Sequence, residues 1–100
     1  SDEPLAAAEG ADFLYTDTWV SMGNEAEAEV RLKILAPFQL NETLLARANN
    51  TAIVQHCLPA YREKEITESL LEARADEIFQ EAENRLHAQK AILVALAKGR

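Results

Sequence analysis

Apolar positions in this chain fall into short blocks, each ending at a residue that forbids the block from continuing. The run Ile53-Val54-Gln55-His56-Cys57-Leu58-Pro59 reads as a buried strand. Pro59 offers a sheet no N–H and pushes Leu58 out of the helical region, so the strand stops and the chain turns. Phe13-Leu14-Tyr15-Thr16-Asp17 reads as an earlier strand with a carboxylate at its tip. The 40 positions separating Asp17 from Cys57 leave room for the helical crossover that parallel strands need. Ile78-Phe79, running into Glu83-Asn84-Arg85, reads as a third, short strand. Strand–helix–strand alternation predicts the α/β class: an open parallel sheet flanked by helices.

Between the strands the pattern changes to helical spacing. A helix is expected over 1–9, with Pro4 in its first turn and Gly10 as a left-handed cap. Because it feeds directly into the first strand, the repeating pattern is entered in mid-unit, as in a piece of something larger. Asn24 with Glu27 forms a capping-box-like start for the next helix. Glu27 with Arg31 and Glu29 with Lys33 make i,i+4 pairs on its wet side, Ala26, Val30 and Ile34 line a face, and Pro37 ends it. Phe38-Gln39-Leu40 is briefly extended. Asn41 then caps a short helix through Leu44, Leu45 and Ala48, and Asn49-Asn50 makes a turn.

After Pro59, the polar stretch from Ala60 to Glu65 reads as solvated surface, with a mobile loop near a pocket as the other reading. Thr67 is placed to N-cap a helix ending near Arg74. The long final helix, expected from about Ala82 to Ala97, carries Leu86, Ile92, Leu93, Val94 and Leu96 and is apolar nearly all round. Such a helix is usually buried, and a chain this small has little to cover it, which points to a further domain or a partner.

Composition narrows the classes. One hundred residues make one small domain, 48% hydrophobic and 27% charged, too apolar for disorder. The longest apolar run, Ala91 to Ala97, is too short to span a bilayer, so no membrane partner is expected. A net charge of -7 with scattered Lys and Arg argues against nucleic acid. The single cysteine cannot form an internal disulfide and fits a reducing, cytoplasmic setting.

Strand tips are where ligands bind in open α/β sheets, so Cys57 and Asp17 are the leading candidates for chemistry. Taken singly, each has a plainer reading: a packed small hydrophobe for Cys57 and a turn carboxylate for Asp17. Their company favours the functional one. A metal site built from His56, Cys57, Glu83 and His87 is disfavoured, because neighbouring strand residues point to opposite faces and no zinc-like spacing is present.

Three motifs, in this order, resemble the ornithine carbamoyltransferase family: Thr16-Asp17-Thr18-Trp19-Val20-Ser21-Met22-Gly23, His56-Cys57-Leu58-Pro59-Ala60 and Glu81-Ala82-Glu83-Asn84-Arg85. The resemblance covers the whole chain as the C-terminal, ornithine/aspartate-binding half, a Rossmann-like second domain. It implies an enzyme transferring the carbamoyl group of carbamoyl phosphate to the side-chain amine of ornithine, giving citrulline and phosphate, without metal or other cofactor.

By the same resemblance, Asp17 holds the α-amino group of ornithine, and Ser21 and Met22 sit on a loop closing over its amino-acid end. Cys57 lies near the incoming amine, the Leu58 carbonyl accepts from the carbamoyl NH2, and Arg85 donates to the carbamoyl oxygen. The Leu58–Pro59 peptide is expected to be cis, and His56 is left as structural. The family's Ser-Thr-Arg-Thr-Arg phosphate loop and His-Pro-x-Gln segment are not in these residues. Carbamoyl phosphate binding and activity are therefore expected only with the other half, in a full-length homotrimer. The competing expectations are a carbamoyltransferase for another amine such as putrescine, and a non-catalytic amino-acid-binding α/β module.

Overall fold

The computed structural model describes residues 1–21 and 25–99. The expected Asn24 cap and Met22 lie outside these. The elements run α1 (Pro4–Ala7), β1 (Phe13–Thr16), a 3-10 turn (Glu25–Glu27) leading into α2 (Ala28–Leu35), a second 3-10 turn (Ala36–Phe38), α3 (Glu42–Leu45), β2 (Ile53–His56), α4 (Glu68–Ala73) and α5 (Ala75–Ala97).

β1 and β2 pair in parallel with Phe13 opposite Ile53 and Thr16 opposite His56. The crossover between them runs through α2 and α3, as parallel pairing requires. Side chains alternate across the pair. Leu14 and Val54, direct partners, are buried, while Phe13 is 60% exposed and Ile53 is 38% exposed. β2 is thus covered on one face, not on both as its apolar run implied. The core gathers on the covered face: Leu14 and Val54 meet Ala8, Leu40, Ile66, Leu70, Leu71 and Ile78.

The third strand expected at Ile78-Phe79 is helix, because α5 begins at Ala75 and not near Ala82. Helical spacing sends Ile78 into the core and turns Glu77 and Glu81 toward the outer edge of β2. The Val54 N–H donates to Glu77 Oε2 at 2.9 Å, and the His56 N–H donates to Glu81 Oε2 at 3.1 Å. Carboxylates spaced by four helical residues, about 6 Å, match N–H groups spaced by two strand residues, about 6.6 Å. The helix therefore supplies the acceptors that a third strand would have supplied.

Several expected local features are present. Asn41 Oδ1 accepts the Leu44 N–H at 2.9 Å, and Thr67 Oγ1 accepts the Leu70 N–H at 3.3 Å, so both helices are capped by their own preceding side chains. α3 is shorter than expected and stops before Ala48. Glu27 with Arg31 and Glu29 with Lys33 form their ion pairs on the α2 surface. Gly10 takes φ 71°, and the Leu58–Pro59 peptide is cis.

Burial corrects one expectation, about the 60–65 stretch, and agrees with another, that this chain has little to cover its apolar final helix. The 60–65 stretch is not simply solvated surface, since Glu65 is fully buried. Within this chain α5 buries only Ile78 among its side chains; Leu86 and Leu93 are 66% and 67% exposed. The physical reason is reach: the sheet is two strands wide and ends beside the first turns of α5.

Candidate functional site

Register places the site. Because Thr16 pairs with His56, the next residue on each strand, Asp17 and Cys57, emerge side by side. The Cys57 thiol donates to Asp17 Oδ1 at 2.9 Å, and the Thr18 N–H donates to the same oxygen at 2.6 Å. The thiol bond first, and the Thr18 bond second, hold the Asp17 carboxyl below the ordinary carboxylate range. The Cys57 thiol is pushed up, by desolvation first and by its bond to Asp17 and that group's charge next. Although Cys57 as a residue is exposed, its sulfur is thus shielded by Asp17 and by the Tyr15 hydroxyl, whose bond to the sulfur partly offsets the rise. Tyr15 is itself pushed up to about 12, by desolvation first and then by the charges of Glu81 and Cys57.

Behind the tip lies a buried polar assembly. His56 and Glu65 are both fully buried, with His56 Nε2 2.7 Å from Glu65 Oε1. The Leu58 N–H donates to His56 Nδ1 at 2.8 Å, and the Tyr61 N–H donates to Glu65 Oε1 at 2.7 Å. With Nδ1 accepting, the ring proton sits on Nε2 and points at Glu65. Leu58 holds φ 58°, a left-handed conformation that branched-chain residues rarely keep without support.

The candidates from the sequence divide accordingly. Asp17, Cys57 and Leu58 are brought together at the two strand tips. Ser21, itself exposed, follows Asp17 after the half-buried Thr18, Trp19 and Val20, and the Trp19 carbonyl accepts from Arg31 Nη1 of α2 at 3.5 Å. Ser21 also borders a cavity of about 250 Å³ that Trp19, Leu32, Tyr61 and Lys64 help to line. Asp17 opens instead onto a wider groove of about 650 Å³ along β1, with Phe38 and Leu44 on its wall. Met22 lies outside the described residues. Arg85 is exposed on α5, one turn beyond Glu81. Of the disfavoured metal candidates, His56 is engaged by Glu65, and His87 stands 3.8 Å from Glu83 on the open part of α5. Among the described residues, no three His, Cys, Asp or Glu side chains converge on a common point.

The sequence reading missed Glu65, Glu81 and Tyr15. Glu65 was hidden inside a polar run with no periodicity. The signal for Glu81 was present: carboxylates at 77 and 81 repeat at helical spacing, but only a helix beginning before Ile78 makes it legible.

A parallel α/β module with its polar groups at adjacent strand tips matches one family description along nearly its whole length. The aspartate/ornithine carbamoyltransferase Asp/Orn binding domain covers residues 1–96, and the chain belongs to that family. It is 55% identical over 94 residues to an ornithine carbamoyltransferase of Synechococcus elongatus, covering 94% of this chain and 31% of that protein. To the ornithine carbamoyltransferase of Campylobacter curvus it is 56% identical over 96 residues, covering 96% of this chain and 32% of that protein. The crystal structure of the anabolic ornithine carbamoyltransferase from Campylobacter jejuni superposes with a TM-score of 0.90 at 45% identity, covering 97% of this chain and 32% of that one. The chain thus spans about a third of the length of the curated relatives it matches.

Proposed function

We propose that this chain is the ornithine-binding part of an ornithine carbamoyltransferase and that residues 1–100 form its ornithine/aspartate-binding domain. The observation that carries the reading is the Cys57–Asp17 pair at 2.9 Å on adjacent parallel strand tips. A carboxylate kept ionised and aimed outward suits an α-ammonium, through a charge-assisted hydrogen bond. A thiol kept protonated beside it adds no second negative charge that would hold the incoming amine as an ammonium, which has no lone pair to attack with.

In this reading Asp17 binds the α-amino group, and Ser21 and Met22 close over the amino-acid end. The δ-amine attacks the carbonyl carbon of carbamoyl phosphate beside Cys57. A tetrahedral centre forms, the carbon–oxygen bond to phosphate breaks, and the proton given up by the amine leaves on the phosphate, so that citrulline and hydrogen phosphate separate. The Leu58 carbonyl accepts from the carbamoyl NH2, and Arg85 donates to the oxygen on which charge grows.

The α5 ladder supports the place of Arg85. Glu77 bonds at Val54 and Glu81 at His56, so one further step of four helical residues brings position 85 level with position 58. Each step also rotates by about 40°, which the long arginine side chain can span. Carbamoyl phosphate binding is assigned to the part of the protein outside this chain, with ornithine and carbamoyl phosphate as substrates of a cytoplasmic homotrimer. Metal and cofactor are not required by these steps. Among the described residues, no helix is long and apolar enough to cross a membrane.

An N-acetyl-L-ornithine transcarbamylase is also similar, at 34% identity and a TM-score of 0.73. An acetylated nitrogen carries no charge for Asp17 to hold, so the free amine is the better fit. The test is an NMR titration of the chain with ornithine, putrescine and N-acetylornithine, with carbamoyl transfer assayed on the full-length protein. Ornithine is expected to shift Asp17, Ser21 and Cys57 selectively. Equal shifts with putrescine would remove the assigned specificity. Binding without carbamoyl transfer would leave an amino-acid-binding module.

A further inference from the structure

The proposed reaction uses Leu58 through its carbonyl, yet Leu58 stands in a left-handed conformation at φ 58° that is unfavourable for a residue with a Cβ. Such a conformation persists only when its surroundings over-determine it. The Leu58 N–H is fixed by one acceptor, His56 Nδ1 at 2.8 Å. His56 in turn cannot rotate or exchange its tautomer freely. Its Nε2 is 2.7 Å from Glu65 Oε1, its own N–H is held by Glu81 Oε2 at 3.1 Å, and its side chain is fully buried. Glu65 is anchored in its turn by the Tyr61 N–H at 2.7 Å, which ties the far end of the 58–65 loop to the same carboxyl.

We propose that His56 is a positioning residue for carbamoyl transfer: with its proton on Nε2 and facing Glu65, it presents Nδ1 to the Leu58 N–H and so locks the backbone that aims the Leu58 carbonyl. This rests on the functional reading above. It assigns His56 no contact with substrate and no proton transfer. It separates two jobs of one ring: the Nε2 side bonds Oε1 of the buried Glu65 carboxyl, whose Oε2 has no partner among the described residues, and serves stability, and the Nδ1 side holds the turn and serves the reaction.

The two jobs come apart in two variants. In His56→Asn the side-chain oxygen replaces Nδ1 and still accepts from Leu58, but nothing reaches Glu65. In His56→Gln the amide replaces Nε2 and still donates to Glu65, but Leu58 loses its acceptor. In the full-length protein, His56→Gln is expected to be the more stable of the two and yet the less active. It should fall in kcat by roughly 10–100-fold relative to His56→Asn, the worth of one lost positioning hydrogen bond, with KM for ornithine nearly unchanged. If His56→Gln is instead equally or more active, His56 is only a core partner for Glu65 and the proposal fails.

A readout independent of activity keeps this apart from the functional reading. Imidazole nitrogen NMR of the wild type should show a bare Nδ1 and a protonated Nε2. The Leu58 amide should exchange slowly in the wild type and His56→Asn and quickly in His56→Gln. A protonated Nδ1, or a Leu58 amide indifferent to the two changes, overturns the lock whatever reaction the protein performs. Normal exchange behaviour with no carbamoyl transfer by the wild type would uphold the lock and sink the functional reading alone.

Discussion

Cys57 and Asp17 are shifted in opposite directions. Desolvation first, and the hydrogen bond to Asp17 and its charge next, oppose ionising the thiol, so its pKa rises; the thiol's hydrogen bond favours the ionised carboxyl, so that pKa falls. The consequences for stability have opposite signs. The Asp17 contribution is complete above the ordinary carboxylate range and is lost as pH drops through its lowered value. The Cys57 contribution is complete below the ordinary thiol value and is lost as pH climbs through its raised one. Iodoacetamide alkylation of Cys57 should therefore reach half its maximal rate at a pH above that of a free thiol. Asp17→Asn should bring the midpoint only part of the way back, since desolvation, the larger cause, remains. A midpoint indifferent to Asp17→Asn would mean that the two side chains do not meet in solution. Both residues were legible in the sequence as polar ends of apolar strands. Their pairing was not, because register depends on the crossover, which no local pattern specifies.

At the scale of elements, α5 is where sequence and structure part. Ile78-Phe79 has the composition of a short strand, and two apolar letters cannot distinguish a strand from a helix. Tertiary context decides, through Ile78 in the core and the paired carboxylates at 77 and 81 on the β2 edge. Capping an edge strand with side chains also withholds it from pairing with another chain. Glu81→Leu leaves the His56 N–H without its acceptor and should cost about 1–3 kcal/mol in urea denaturation, while Glu81→Gln, which still offers an amide oxygen, should cost well under half of that. Equal losses would put the effect in packing and not in the hydrogen bond. Glu65 makes the same point in the 58–65 loop. Its Oε1 accepts from both His56 and Tyr61, so Glu65→Ala leaves the buried His56 ring N–H and the part-buried Tyr61 N–H without their acceptor and should cost about 2–4 kcal/mol. The helix starts, by contrast, were readable because Asn41 and Thr67 cap locally and need no tertiary partner.

The whole molecule is less compact than its length allows. Its radius of gyration is 16.0 Å, against about 13 Å for a compact domain of this size. The excess is α5, 23 residues and so about 35 Å long, whose side chains are anchored in the core only near Ile78. The sequence made its all-round apolar character plain, and the chain's own sheet is too narrow to use it. From Leu86 onward the helix has its own hydrogen bonds but almost no tertiary support, and an isolated helix of about a dozen residues is marginal in water. Amide exchange in this chain should therefore be graded along one continuous helix: slow from Glu77 to Glu81, and at least about a hundredfold faster around Leu93. Leu86→Glu combined with Leu93→Glu should leave the free energy of unfolding within about 0.5 kcal/mol of the parent, as for other exposed substitutions. If the pair instead costs more than about 2 kcal/mol, and exchange at Leu93 is as slow as at Ile78, the distal face is covered in solution. Dependence of that protection on protein concentration would then identify a second copy of the chain as the cover.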